Sequence, residues 1–141
     1  MPDAQPAGLF ALLHAAGSVE SHVESRLSAV GLSLPKLAAL QRLVEAGDSL
    51  PLGQLADRLS CVKSNVTQLV DRLEGDGLVT RAADTTDRRT RLAVITAAGR
   101  KAHSQGLKIQ QAAERELFGV LSADESAELA RIIGKLSQAR E

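Results

Sequence analysis

Apolar residues recur every three or four positions in six separate stretches of this chain, the spacing of helices with one buried face. The first helix is expected over about residues 6–30. Leu9, Leu12, Leu13, Ala16, Val19, Val23, Leu27 and Val30 form its stripe, and Gly31 is placed to end it. At 1.5 Å per residue it is about 35 Å long, more than a small core needs, so the stripe requires a partner. Ser33 can cap a second helix, with Pro35 tolerated in its first turn and Leu37, Leu40, Leu43 and Val44 facing inward until Gly47. Leu52, Leu55, Ala56 and Leu59 define a short third helix, and residues 60–62 are too few to let it separate from a fourth. There Val66, Leu69, Val70 and Leu73 fall at i, i+3, i+4 and i+7. The opposite side carries Ser64, Thr67, Gln68 and Asp71, with Asn65 and Arg72 on its flank.

The pattern then changes period. Gly75, Asp76 and Gly77 stop the fourth helix, and residues 78–82 and 90–95 are strand-like around the polar turn Asp84-Thr85-Thr86-Asp87-Arg88-Arg89. Thr96 can cap a fifth helix running to about residue 121, with Ile109, Ala113, Leu117 and Val120 on one side. Gly99 and Gly106 are expected to weaken it. Ser122 and Glu125 make a capping box for the last helix, where Leu129, Ile132, Ile133 and Leu136 again share a face.

Two helices joined by a tight turn, followed by a basic hairpin, predict a mostly α fold with a two-stranded β wing: a winged helix-turn-helix. Small polar side chains and amides on an exposed helix can read donor and acceptor patterns on base edges in a major groove. Lys63, Ser64, Asn65, Thr67, Gln68 and Arg72 are the candidates on the helix, and Asp87, Arg88 and Arg89 those on the wing. Paired arginines at a polar turn suit phosphate or minor-groove contact. A winged helix that docks on protein rather than DNA is the alternative from another class, and the wing arginines argue against it.

The runs LADRL, VTQLVDRLEGDGLVTR and DRRTRLAVITAAGR resemble the MarR family of bacterial transcriptional regulators. The match is close over the central half of the chain and follows pattern alone in the flanking helices. The resemblance implies a dimeric DNA-binding regulator in which Asp87 orients a wing arginine and Arg88 or Arg89 enters the minor groove. It also implies a dimer interface on the first and last helices, and an effector held between the reading head and those helices. Two positions depart from the family pattern: Val62 stands where a Ser or Asp often caps the recognition helix, and Cys61 where an aliphatic residue is usual.

Length and composition agree with one domain over residues 1–141, divided into dimerisation helices at 1–31 and 97–141 and a DNA-binding region at 33–96. The formal net charge of zero argues at first against a nucleic-acid partner, but its distribution does not. Residues 1–62 carry net −2, residues 63–101 net +3 and residues 102–141 net −1, so positive charge concentrates at helix and wing. Phosphate attraction is local, because screening limits it to about 8–10 Å. No apolar run approaches a membrane span, and residues 1–8 lack the basic and apolar regions of a signal peptide, so a cytoplasmic location is expected.

Little else points to chemistry. No phosphate loop, nucleophile elbow or paired-carboxylate motif occurs, so neither an enzyme nor a cofactor is expected. His14, His22 and His103 lack metal-ligand spacing; a site built from His14, His22 and Glu20 or Glu24 is the weaker reading, and no metal is assigned. Cys61 between apolar neighbours reads as a small hydrophobe, with redox sensing through it as the alternative. With no Trp or Tyr and two Phe, the chain has no stacking platform for single strands near its reading head. Any effector pocket is expected to be lined mainly by aliphatic side chains. The unmatched stripes of the first and last helices, with Leu9, Leu13, Leu129, Ile133 and Leu136, are expected at a homodimer interface.

Overall fold

Leu27, Leu40, Leu43, Leu55, Leu59, Leu73, Val70 and Val79 are completely or almost completely buried, and they come from five different elements. A computed structural model, which describes residues 8–59 and 65–138, shows how the stripes converge on them. In chain order the described elements are α1 (Leu9–Ser28), α2 (Leu34–Glu45), β1 (Ser49–Pro51), α3 (Leu52–Arg58), α4 (Val66–Gly75), β2 (Val79–Ala83), β3 (Arg91–Ile95), α5 (Ala97–Phe118) and α6 (Ala123–Gln138). Each fully buried leucine or valine stabilises the fold by about 1.5–3 kcal/mol relative to exposure. The core is therefore that of the central region, with α5 laid across it.

Several local signals hold as read. Ser33 caps α2 by accepting from the Lys36 amide, and Thr96 caps α5 by accepting from the Gly99 amide. The capping box is reciprocal: the Ser122 hydroxyl accepts from the Glu125 amide at 3.1 Å, and the Glu125 carboxylate from the Ser122 amide at 3.0 Å. Gly31, at φ +75°, turns the chain out of α1 and brings the Leu32 amide onto the Leu27 carbonyl.

Three expectations change. The sheet has three antiparallel strands in the order β1-β3-β2, not two, with Leu50 opposite Ala93 and Val79 opposite Ile95. β1 is only three residues long and ends at a proline, so neither alternation nor composition marks it; its partner β3 does. The recognition helix starts at Val66, and its cap is Asn65, whose Oδ1 accepts from the Gln68 amide at 3.2 Å. An acceptor is thus present where Val62 had suggested none. Gly99 and Gly106 are places of close approach rather than mere weak points. A Cβ at Gly99 would lie 2.1 Å from the Leu78 carbonyl oxygen, and one at Gly106 2.7 Å from Leu37 Cδ1. The expected turn at residues 60–62 lies outside the described residues, as does Cys61.

Candidate nucleic-acid interface

α4 is divided as its sequence requires. Leu69, Val70 and Leu73 are buried, while Thr67, Gln68, Asp71 and Arg72 are exposed on the other side. Asn65 is exposed too, but its side-chain oxygen is committed to the helix cap, which leaves its amide NH2 as the group able to donate outward. Lys63 and Ser64 lie outside the described residues. Beside the N-terminal half of α4 stands the first turn of α2: Ser33, Pro35, Lys36, Asn65, Gln68, Leu69 and Arg72 line one groove of about 250 Å³. Sequence reasoning assigned nothing to α2 here, since only the fold brings residue 36 beside residue 72.

The wing is held by its own acids. Asp84 Oδ1 accepts from the Thr86 amide at 3.0 Å and from the Thr86 hydroxyl at 2.9 Å, and these bonds hold its carboxyl below the usual aspartate range. Asp87 Oδ1 accepts from the Arg89 amide at 3.0 Å, and its Oδ2 from the Thr90 hydroxyl at 3.1 Å. Asp87 therefore orients Arg89 through the backbone, not by pairing with a guanidinium. Arg88, Arg89 and Arg91 are exposed, and among the described residues none has a carboxylate within salt-bridge range. Thr96 joins wing to helix: besides capping α5 it donates its hydroxyl proton to the Gly77 carbonyl at 2.7 Å.

Arg81, one of the cations that make residues 63–101 net positive, has acidic partners. From β2 it reaches Asp71 Oδ1 at 2.6 Å and Glu74 Oε1 at 2.8 Å, both on α4. The bond to Asp71 is the main reason the guanidinium holds its proton even more firmly than usual. The position of Asp71 on the reading side of α4 is thereby accounted for by an ion pair. His14 and His22 share one side of α1, but the three histidines do not meet at one point. His22 pairs with Glu116, His103 with Gln41, and Glu24 accepts from the Leu34 amide at the start of α2. Among the described residues no cluster of three or more metal-binding side chains exists.

Away from the reading head, the N-terminal half of α1 and most of α6 leave apolar residues uncovered. Phe10 is 81% exposed, Leu13 56% and Ile133 53%; Leu9 and Leu136 are also open, Leu129 is half-buried, and α6 has no buried residue. A second concavity, about 660 Å³, runs along α1 and is lined by Leu13, His14, Gly17, Ser18, Ser21, His22 and Ser25. Serine and histidine side chains make up most of its lining residues, and it lies along α1 alone, away from the place between reading head and dimerisation helices where an effector was expected. No helix among the described residues is long and apolar enough to cross a membrane.

A short helix bracing a second whose polar face stands free, with a wing of unpaired arginines beside it, defines a winged helix-turn-helix DNA-binding protein. The MarR family model matches residues 32–90, from just before α2 to the wing. The chain is 33% identical to the HTH-type transcriptional regulator MhqR of Bacillus subtilis over 77% of this chain and 74% of that protein. It is 30% identical to the HTH-type transcriptional repressor Rv2887 of Mycobacterium tuberculosis over 94% of this chain and 96% of that protein. The crystal structure of a probable transcriptional regulator from Pseudomonas aeruginosa superimposes with a TM-score of 0.81 at 28% identity, covering 96% of this chain and 99% of that one. The chain belongs to the MarR family of transcriptional regulators, DNA-binding proteins and not enzymes.

Proposed function

We propose that this chain is a homodimeric repressor that holds a pseudo-palindromic operator in the cytoplasm and releases it on a small-molecule signal. The observation that carries the reading is the pairing of the free polar face of α4 with the unpaired arginines of the wing. Gln68 and Thr67 read base edges in the major groove, with Asn65 and Arg72 at the flank of the helix. Lys63 and Ser64, just ahead of α4 in sequence, complete the proposed set of DNA-contacting residues. Arg88 and Arg89 bind phosphates or enter the minor groove, held in register by Asp87. The uncovered residues of α1 and α6, Leu9, Leu13, Leu129, Ile133 and Leu136, supply the dimer interface, so residues 1–31 and 97–141 serve dimerisation and residues 33–96 recognition. Two reading heads then lie one helical turn apart on one face of the duplex. Repression follows the name of the Mycobacterium tuberculosis relative.

The test is an electrophoretic shift on a duplex from the protein's own upstream region against a random duplex of equal length. The reading expects tighter binding to the upstream duplex, protection of two half-sites, and loss of affinity as salt rises. Equal, salt-independent binding to both duplexes, or no binding to either, would overturn it.

A further inference from the structure

α4 carries two carboxylates, Asp71 and Glu74, on the side nearer the wing, between the two surfaces that the DNA-binding reading turns toward phosphate. Uncompensated, they would repel a polyanion from the place where helix and wing approach it together. One cation meets both. Arg81 extends a guanidinium fork from β2, Nη2 to Asp71 and Nη1 to Glu74, at 2.6 and 2.8 Å. Its anchor is firm, because Arg81 stands opposite the fully buried Ala93 in the middle of β2. Of the three side chains Arg81 is the least open, 24% exposed against 58% for Asp71 and 43% for Glu74.

We propose that Arg81 is a positioning residue for DNA binding: it is the internal counter-ion of the recognition helix, masking Asp71 and Glu74 so that Gln68, Arg72 and the wing arginines meet the duplex without opposing charge. Arg81 itself contacts no phosphate. Arginine suits this role, since its planar fork fixes two divergent N–H donors toward two separate acids, whereas a lysine ammonium is a point charge on a flexible stem without that fixed geometry. The inference rests on the DNA-binding reading above.

Arg81→Ala, the near-isosteric pair Asp71→Asn with Glu74→Gln, and the combination of all three separate charge masking from a structural clasp. Binding of each to the upstream and random duplexes is followed by fluorescence anisotropy at low and physiological salt, with circular dichroism as the folding control. Arg81→Ala should weaken binding to both duplexes about tenfold at low salt. The amide pair, with Arg81 kept, frees a guanidinium, so it should tighten binding to the random duplex and steepen the salt slope by about one unit per subunit. The triple variant should return to within about threefold of the parent, since no uncompensated acid remains. A clasp predicts the reverse for the amide pair, whose loss of ion pairs would weaken binding as Arg81→Ala does. Random-duplex binding by the amide pair that equals or falls below the parent's overturns the proposal, and so does parental binding by Arg81→Ala. If Arg81→Ala fails to fold, the amide pair alone decides. Failure of the parent to bind either duplex is a different result and removes the DNA-binding reading instead.

Discussion

Replacing a helical glycine by alanine ordinarily stabilises a helix by about 1 kcal/mol, so Gly99→Ala and Gly106→Ala would both be improvements if propensity decided. Packing decides differently at the two sites. At Gly99 the added Cβ would stand 2.1 Å from the Leu78 carbonyl oxygen and 2.7 Å from Ile95 Cγ1, where real Cβ contacts essentially never fall under 3.0 Å. The Leu78 carbonyl cannot rotate aside, because it accepts from the Thr96 amide at 3.0 Å while the Leu78 amide donates to the Leu73 carbonyl at 2.9 Å. α5 must therefore lift from the turn between α4 and β2. Overpacking costs typically about 1–3 kcal/mol, and a clash with fixed backbone falls in the upper half of that range, about 2–3 kcal/mol, so after the propensity gain of about 1 kcal/mol the net effect of Gly99→Ala is a loss of about 1–2 kcal/mol. At Gly106 the obstacles are the methyl ends of Leu37 and Leu32, at 2.7 and 2.8 Å. Those side chains can change rotamer, and the net change stays within about 1 kcal/mol of zero. Urea unfolding followed by far-UV circular dichroism, at one fixed protein concentration because association shifts the midpoint, gives both differences. Gly99→Ala should also weaken DNA binding, since the wing begins at the turn it displaces. Parental stability in Gly99→Ala, or a larger loss in Gly106→Ala, would refute the argument.

Three further outcomes are expected. Leu13→Glu or Ile133→Asp should shift the protein from dimer to monomer at micromolar concentration in sedimentation, because a charge buried without a partner costs several kcal/mol; a dimer unchanged by both would remove α1 and α6 from the interface. Gln68→Ala should relax preference at one base pair in each half-site by about 1–3 kcal/mol with the salt slope kept, whereas Arg88→Ala with Arg89→Ala should weaken binding to all duplexes and lower the slope; binding titrations over a salt series distinguish the two, and the opposite assignment would be fatal. Burial raises the carboxyl of Glu116, but hydrogen bonds from Arg26 and His22 outweigh it and hold the group below its ordinary value of 4.5. The resulting stability is present above that value and lost as pH falls through the lowered one, so the difference in melting temperature between parent and Glu116→Gln should shrink with acidification from about pH 6 to pH 3; a constant difference would contradict the staple between α1 and α5.

Which of these features could be read in the sequence follows from how local each one is. The caps at Ser33, Thr96 and Ser122 are bonds over three residues, and the stripe of α4 is a repeat over eight, so both are written where they act. β1 is different: Ser49 to Pro51 becomes a strand only because Leu92 to Val94 lies beside it, more than forty residues later. Residues 71, 74 and 81 are close in sequence, yet their pairing depends on the angle between α4 and β2, so a charge count of the stretch gives its net sign but not which cation is matched to which acid. Asn65 is legible as an exposed polar residue but not as a cap, because the family pattern places the cap at residue 62, whereas the helix begins at Val66 and takes the acceptor next to it. Gly99 and Gly106 show the same limit from the other side. Propensity sees a weakened helix, and only the approach of Leu78 and Leu37 gives the reason for a glycine.

The zero formal charge understates what a duplex would meet, because the acids and bases of the reading head are not equally free. Residues 63–101 contain five acids, and each is engaged: Asp71 and Glu74 by Arg81, Asp76 by Lys36, Asp84 by Thr86, and Asp87 by the Arg89 amide and the Thr90 hydroxyl. Among the described basic residues of the same stretch, Arg81 and Arg100 have acidic partners, while Arg72, Arg88, Arg89, Arg91 and Lys101 are exposed with no carboxylate in salt-bridge range. Two of the five acids, Asp84 and Asp87, accept from backbone amides that shape the wing, so their carboxylates are engaged within the turn and not by the guanidinium groups beside them. With screening cutting interactions off at about 8–10 Å, the net −2 of residues 1–62 and the net −1 of residues 102–141 offset these arginines only where they come within that distance. A neutral chain can therefore present a cationic edge, and removing one internal partner should alter DNA affinity more than adding a distant acid on α6.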